Sequence, residues 1–128
     1  MIIHMTQHLP KQPPEKEEGN KEYKRYLLCR NPSPKIQRDF ISKRASQMLY
    51  RLVEGKGKAV YMLGVNDNGS IYSLDNKLIE ETIKYIKLIA KEINAYVNVV
   101  RIYQNNVCTV RLSLDKKKLL KIENQGLF

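Results

Sequence analysis

The sequence predicts an α+β protein: a two-layer sandwich in which a mainly antiparallel sheet carries two helices on one face. Three observations predict it. Two stretches place apolar residues at helical spacing behind capping residues, and several others run apolar or alternate over strand length. The two kinds interleave in the order β-α-β-β-α-β-β, close to a ferredoxin-like split βαβ arrangement. With 128 residues, 42% of them apolar, the chain is long enough for one domain with a real core.

The opening run TQHLPKQPPEKEEGN is rich in Pro, Glu, Lys and Gln, so residues 1–20 are expected to form a flexible arm. EYKRYLLC reads as the first strand, and RNPSP breaks it. Ser33 is placed to cap a helix with Pro34 at its first position, where the missing N–H costs nothing. Ile36, Phe40, Ile41, Ala45, Met48, Leu49 and Leu52 then follow at helical spacing. Gly55 is expected to end this helix in the left-handed conformation.

KAVYMLGV is the second strand, NDNG a tight turn, and SIYSL the expected returning strand. Asp75 caps a second helix running to Asn94, with Ile79, Ile83, Ile86, Ala90 and Ile93 as its core stripe. Glu80 precedes Lys84 by four residues as a supporting pair. YVNVVRIY and VCTVRLSL form a last strand pair around Gln104, Asn105 and Asn106. In the second of them Cys108, Val110 and Leu112 alternate with Thr109, Arg111 and Ser113, the pattern of a sheet with one buried face. The expected organisation is therefore a flexible arm over residues 1–20, a single α+β domain over 21–114 and a basic tail over 115–128 that extends from the core.

Charge narrows the function. The net charge is +10, and it is uneven. Residues 21–58 hold eleven Lys/Arg against three Asp/Glu, whereas residues 59–128 hold ten against seven. A small domain this basic usually meets a polyanion. The expected RNA-binding residues are Arg38, Lys43, Arg44 and Arg51 on the first helix, with Lys56 and Lys58 in the turn after it. Tyr23, Tyr26, Tyr50, Tyr61 and Tyr72 lie among these charges and are suited either to stacking on bases or to packing in the sheet. The segment holds neither an RNP-type aromatic signature nor a GXXG loop between helices.

Catalytic chemistry finds no support. EGKGKAVY has neither the spacing nor the hydroxyl of a phosphate loop, and it opens a strand rather than a helix. His4 and His8 sit in the expected arm, and no serine has an evident base beside it. The two histidines have no further ligands, and Cys29 and Cys108 are far apart, each within an expected strand, so free buried thiols are expected and no metal site. No stretch is long and apolar enough for a membrane span. The chain is expected to be no enzyme and to take no cofactor, metal or small-molecule substrate.

Particular residues carry more than pattern. EGNKEYK (Glu18 to Lys24), NPSP (Asn31 to Pro34) and QMLYRLVEGKGKAVYMLGVNDNG (Gln47 to Gly69) resemble the N-terminal domain of the GTP-binding protein 1 family. Members carry a similar EGN-x-EYK strand, an NPS helix start and a QM…RL-x-EG-x-G-x-AVY…GV-x-DNG block. In that family a GTPase domain follows; nothing here matches GxxxxGK[ST], so the resemblance implies a copy of the accessory domain without nucleotide binding. The short, Lys-, Asn- and Ile-rich chain is also similar to the ribosome dormancy factors of microsporidia. That likeness implies a cytoplasmic protein, monomeric when free, whose partner is the ribosome through rRNA and small-subunit ribosomal proteins. It would occupy the tRNA exit-site region and block translation, with Asn66, Asp67, Asn68 and Gly69 as the site-occluding loop. The family resemblance alone implies an alternative: an interaction module that docks on a translational GTPase or an RNA-decay factor.

Overall fold

The computed structural model describes residues 1–126. Its elements are β1 (Ile2–His4), β2 (Lys21–Lys24), α1 (Pro34–Glu54), β3 (Lys58–Leu63), α2 (Asn76–Glu92), β4 (Tyr96–Ile102), β5 (Cys108–Ser113) and α3 (Lys116–Asn124). The five strands form one mixed sheet in the order β1-β4-β5-β3-β2. The expected α+β class holds, whereas the segments that form the strands, and their order, differ from expectation.

Both helix starts are as the sequence indicates. Ser33 accepts from the Ile36 N–H with Pro34 opening α1, and the Asp75 carboxylate accepts from the Leu78 N–H at 2.8 Å. Met48, Leu52, Ile86 and Ile89 are fully buried between the helices and the sheet. Beneath them lie Ala59, Tyr61 and Leu63 of β3, Val100 of β4, and Cys108, Val110 and Leu112 of β5. Burial pushes the Cys108 thiol up to about 12, so it remains an inert core group. Cys29 is not in a strand; it lies half-buried in the β2–α1 connection, where the Gln37 side chain donates to its carbonyl at 2.8 Å.

Several further expectations fail, each for a physical reason. SIYSL forms no strand, because β2 and β5 already occupy both edges of β3. A single bridge joins Val65 to Ile71, after which the Tyr72 and Ser73 N–H groups both fold back onto the Gly64 carbonyl. The split βαβ arrangement is absent, since β2 and β3 are immediate parallel neighbours across α1. Gly55 is not left-handed (φ −91°); Lys56 and Gly57 take the positive φ. Gly55 is needed for close approach, as a Cβ there would sit 1.8 Å from the Lys58 carbonyl oxygen. The basic tail, finally, does not extend away. Asp115 caps α3, which turns Leu119 and Ile122 into the core; residues 127 and 128 lie outside the described residues.

The largest departure is the expected flexible arm. Residues 2–4 pair in parallel with β4 at one edge of the sheet. The chain then crosses to the opposite edge as a strap over the sheet face away from the helices. Leu9 packs there with Tyr23, Met62, Val65 and Val107. The Leu9 N–H donates to the Asn105 side chain, the Gln12 N–H to the Gly69 carbonyl, and the Glu15 N–H to the Asp67 carbonyl. Gly69 is required here, because a Cβ would meet the Gln12 carbonyl oxygen at 1.9 Å.

Arg51 fastens the far end of the strap. Its guanidinium, 2% exposed, donates through Nε to Glu22 at 2.7 Å, through Nη1 to the carbonyls of Glu18 and Gly19, and through Nη2 to the carbonyl of Lys16 at 2.9 Å. Glu22 also accepts from Gln47 at 3.1 Å and lies 3.2 Å from the Lys24 ammonium. Beside this network the Tyr23 N–H donates to the Glu15 carboxylate, whose pKa burial nevertheless raises.

Two stability measurements check this description. Ile122→Ala removes a core contact and should lower unfolding free energy by about 2–4 kcal/mol in urea titration; an unchanged midpoint would mean that α3 is not part of the core. Arg51→Ala leaves Glu22 buried and three carbonyls without their donor, for a loss of about 3–5 kcal/mol. The same variant should make residues 5–18 the first site of limited proteolysis.

Candidate nucleic-acid interface

The expected RNA-binding residues do not gather on one surface. Arg38 and Lys43 are exposed on α1. Arg44 is half-buried, its guanidinium 3.9 Å from the centre of the Phe40 ring, where stacking holds it against the helix. Arg51 is a correction: it is enclosed and fully engaged with Glu22 and the strap, so it cannot meet phosphate. Lys56 is exposed in the α1–β3 turn. Lys58 alternates with the buried Ala59 and so projects from the sheet face opposite α1.

The expected site-occluding loop is also only half free. Asp67 and Asn68 are exposed, whereas Gly69 is buried under the strap. Asn66 accepts from Arg25 at 2.8 Å and donates to the Ser70 hydroxyl, and Asn68 accepts from the Ser70 N–H and hydroxyl. The loop is a fixed platform, because each of its side-chain amides is already engaged locally.

Strand register assembles a different basic surface. Lys21 pairs with Val60, Val60 with Arg111, and Arg111 with Val99, so these four side chains form one row across the sheet face away from the helices. The neighbouring row holds Lys58, Ser113 and Tyr96. A bulge at Asn98 lets its side chain reach the Ser113 hydroxyl at 2.9 Å on the same face. Adjacent strands lie about 4.8 Å apart, which sets Lys21 and Arg111 about 10 Å from each other. Farther along, Arg101 faces the same way opposite Thr109.

This half of the face adjoins the Leu9 cluster through Val60, which packs against it. Lys21, Lys58 and Arg111 are exposed, and Tyr96 is 57% exposed. None of Lys21, Lys58, Arg101 and Arg111 makes an ion pair among the described residues, and the strand positions facing this side carry no carboxylate. Unpaired cations around an exposed aromatic ring, on a flat sheet, suit a phosphate backbone with a base laid against Tyr96. The alternation in VCTVRLSL already placed Arg111 on the solvent side. What pattern alone did not supply was the register that brings Lys21 and Lys58 beside it.

No group of three or more His, Cys, Asp or Glu that could hold a metal occurs among the described residues. His4 and His8 are exposed at the β1 end of the chain. No helix among the described residues is long and apolar enough to cross a membrane.

The sheet face yields a direct expectation. Lys58→Glu with Arg111→Glu should weaken binding of a single-stranded RNA about tenfold or more and flatten the logarithmic salt dependence by about two phosphate contacts. Arg38→Glu with Lys43→Glu, on the helix layer, should have the smaller effect in the same fluorescence-anisotropy titration.

Comparison with known proteins adds a relationship. The chain is similar to GTP-binding protein 2 of mouse and of human, 38% identical over 92 residues that cover 72% of this chain and 14% of each relative. It is also 36% identical over 109 residues to an uncharacterized protein of Acanthamoeba polyphaga mimivirus, covering 84% of this chain and 55% of that one. The chain thus spans less than two thirds of the length of these relatives. No protein-family model and no solved structure matches it.

Proposed function

We propose that the chain is a non-catalytic accessory module of the kind carried by GTP-binding proteins, acting in the cytoplasm beside a translational GTPase and RNA. The observation that carries this reading is the likeness to GTP-binding protein 2: it takes in most of this chain but a small part of that relative. What the two share is therefore a domain-sized unit, and this sequence holds no GxxxxGK[ST] motif. On this reading the basic sheet face supplies the contact to RNA, and the module acts by binding.

A second reading makes the module a ribosome dormancy factor, held in the tRNA exit-site region of the small subunit and blocking translation by occupancy. It is favoured by the rigid polar platform at Asp67 and Asn68, which the strap braces from behind, and by the exposed Arg38 and Lys43. Both readings share a ribosomal setting and differ in the protein partner.

Sedimentation with purified components separates them. On the accessory reading the chain co-sediments with a purified translational GTPase, and a fluorescent GTP analogue gives no signal with the chain alone. On the dormancy reading it pellets with purified ribosomes in moderate salt without any GTPase, and an Asp67→Lys, Asn68→Lys variant is released. Binding to neither component overturns both.

A further inference from the structure

At the edge of the sheet remote from β2, the outer flank of α2 and the strand β1 enclose a groove of about 580 Å³ that the described residues leave empty. Ile79, Ile83 and Ile102 form its floor, and Ile2 and Leu88 stand at its mouth, 49% and 38% exposed. Lys84, Lys87 and Lys91 line its outer side against a single carboxylate, Glu80. The expected Glu80–Lys84 pair is not formed, and none of the three lysines makes an ion pair among the described residues.

The strand beside the groove is open as well. The Val100 N–H donates to the Met1 carbonyl at 2.9 Å, and the Met5 N–H donates to the Ile102 carbonyl at 2.8 Å. In a parallel ladder a residue's N–H and C=O point the same way, so Met1, Ile3 and Met5 face β4. The N–H and C=O groups of Ile2 and His4 therefore point outward, at an edge that no other strand covers.

We propose that this groove docks an extended, acidic and apolar segment of the protein partner. The segment adds a strand to the edge at Ile2 and His4, buries its inward apolar side chains over Ile79 and Ile83, and sets carboxylates against Lys84, Lys87 and Lys91. The free edge supplies affinity through the backbone, the apolar floor supplies burial, and the lysines choose the sign of the flanking charge. An RNA backbone fits this site poorly, because its floor is aliphatic and its open backbone groups pair with another peptide. The inference rests on the accessory-module reading, for which it names the docking surface.

The probe is a blocked fluorescent peptide with a Val-Ile-Val centre flanked on each side by Glu-Glu, compared with a twin carrying Lys in place of Glu. The acidic peptide should bind, and hydrogen exchange should show new protection at the Ile2 and His4 amides. Reversal of the exposed rim by Lys84→Glu, Lys87→Glu and Lys91→Glu should weaken it about tenfold or more, three like charges now meeting its carboxylates. The sheet-face variant Lys58→Glu, Arg111→Glu should bind it unchanged. Equal binding of the two peptides, or undiminished binding to the folded rim variant, overturns the proposal. Should the peptide dock as described while no translational GTPase binds, the groove stands and the accessory reading falls. Should the GTPase bind the rim variant as well as it binds the native chain, that reading stands and the groove falls.

Discussion

The enclosed ion pair between Arg51 and Glu22 is the constraint on which the rest of the molecule depends. A guanidinium has five donors and cannot shed its charge, so enclosing it demands acceptors on every side. Glu22 on β2 supplies one, and the carbonyls of Lys16, Glu18 and Gly19 supply the others. Those carbonyls can converge only if residues 16–19 run beside the last turns of α1. One side chain on α1 thereby fixes the entry into β2, the position of β2 against β3, and the end of the strap. No buried side-chain nitrogen or oxygen among the described residues is left without a partner, which is the condition for such a charge to persist in the core.

The strap in turn divides the outer sheet face. Where Leu9 lies, that face is apolar: Tyr23, Met62, Val65 and Val107 could not face water as a patch without inviting association. Beyond the strap it turns to Lys21, Lys58 and Arg111 around Tyr96. The same crossing begins at β1, which fills the β4 edge with a strand only three residues long and leaves that short edge beside the α2 groove. Both the basic face and the edge groove are consequences of where the first twenty residues run.

Much of this was legible in the sequence, and the part that was not shares a cause. Ser33 and Asp75 announced the helices because capping is local chemistry, and the alternation through Cys108, Val110 and Leu112 announced the buried face of β5. The strap escaped because its stability is not its own. TQHLPKQPPEKEEGN buries little beyond Leu9, and its order comes from backbone groups that find Asn105, Gly69, Asp67 and Arg51 far away in sequence. Composition measures what a segment can bury by itself, and it is silent on a segment held by donors elsewhere. The α3 helix escaped for a similar reason, since Leu119 and Ile122 make a stripe only two residues wide.

The candidate interface shows the same limit in charge. The basic surplus of residues 21–58 was real, but a surplus counted along the chain does not say which cations are free. Arg51 is consumed by the fold, Arg44 rests on Phe40, and Lys24 is drawn to Glu22. The cations left unpaired on the sheet come from four separate strands, and Arg101 and Arg111 lie more than forty residues beyond the segment that seemed to carry the function. A flat sheet can assemble them because its register sets their spacing rigidly, whereas a helix would spread the same residues around its axis. Arg38, Lys43 and Arg44 show that spreading on α1. On the proposed reading the sheet is the more specific polyanion surface, and the helix layer supplies the edge groove proposed to hold a protein partner.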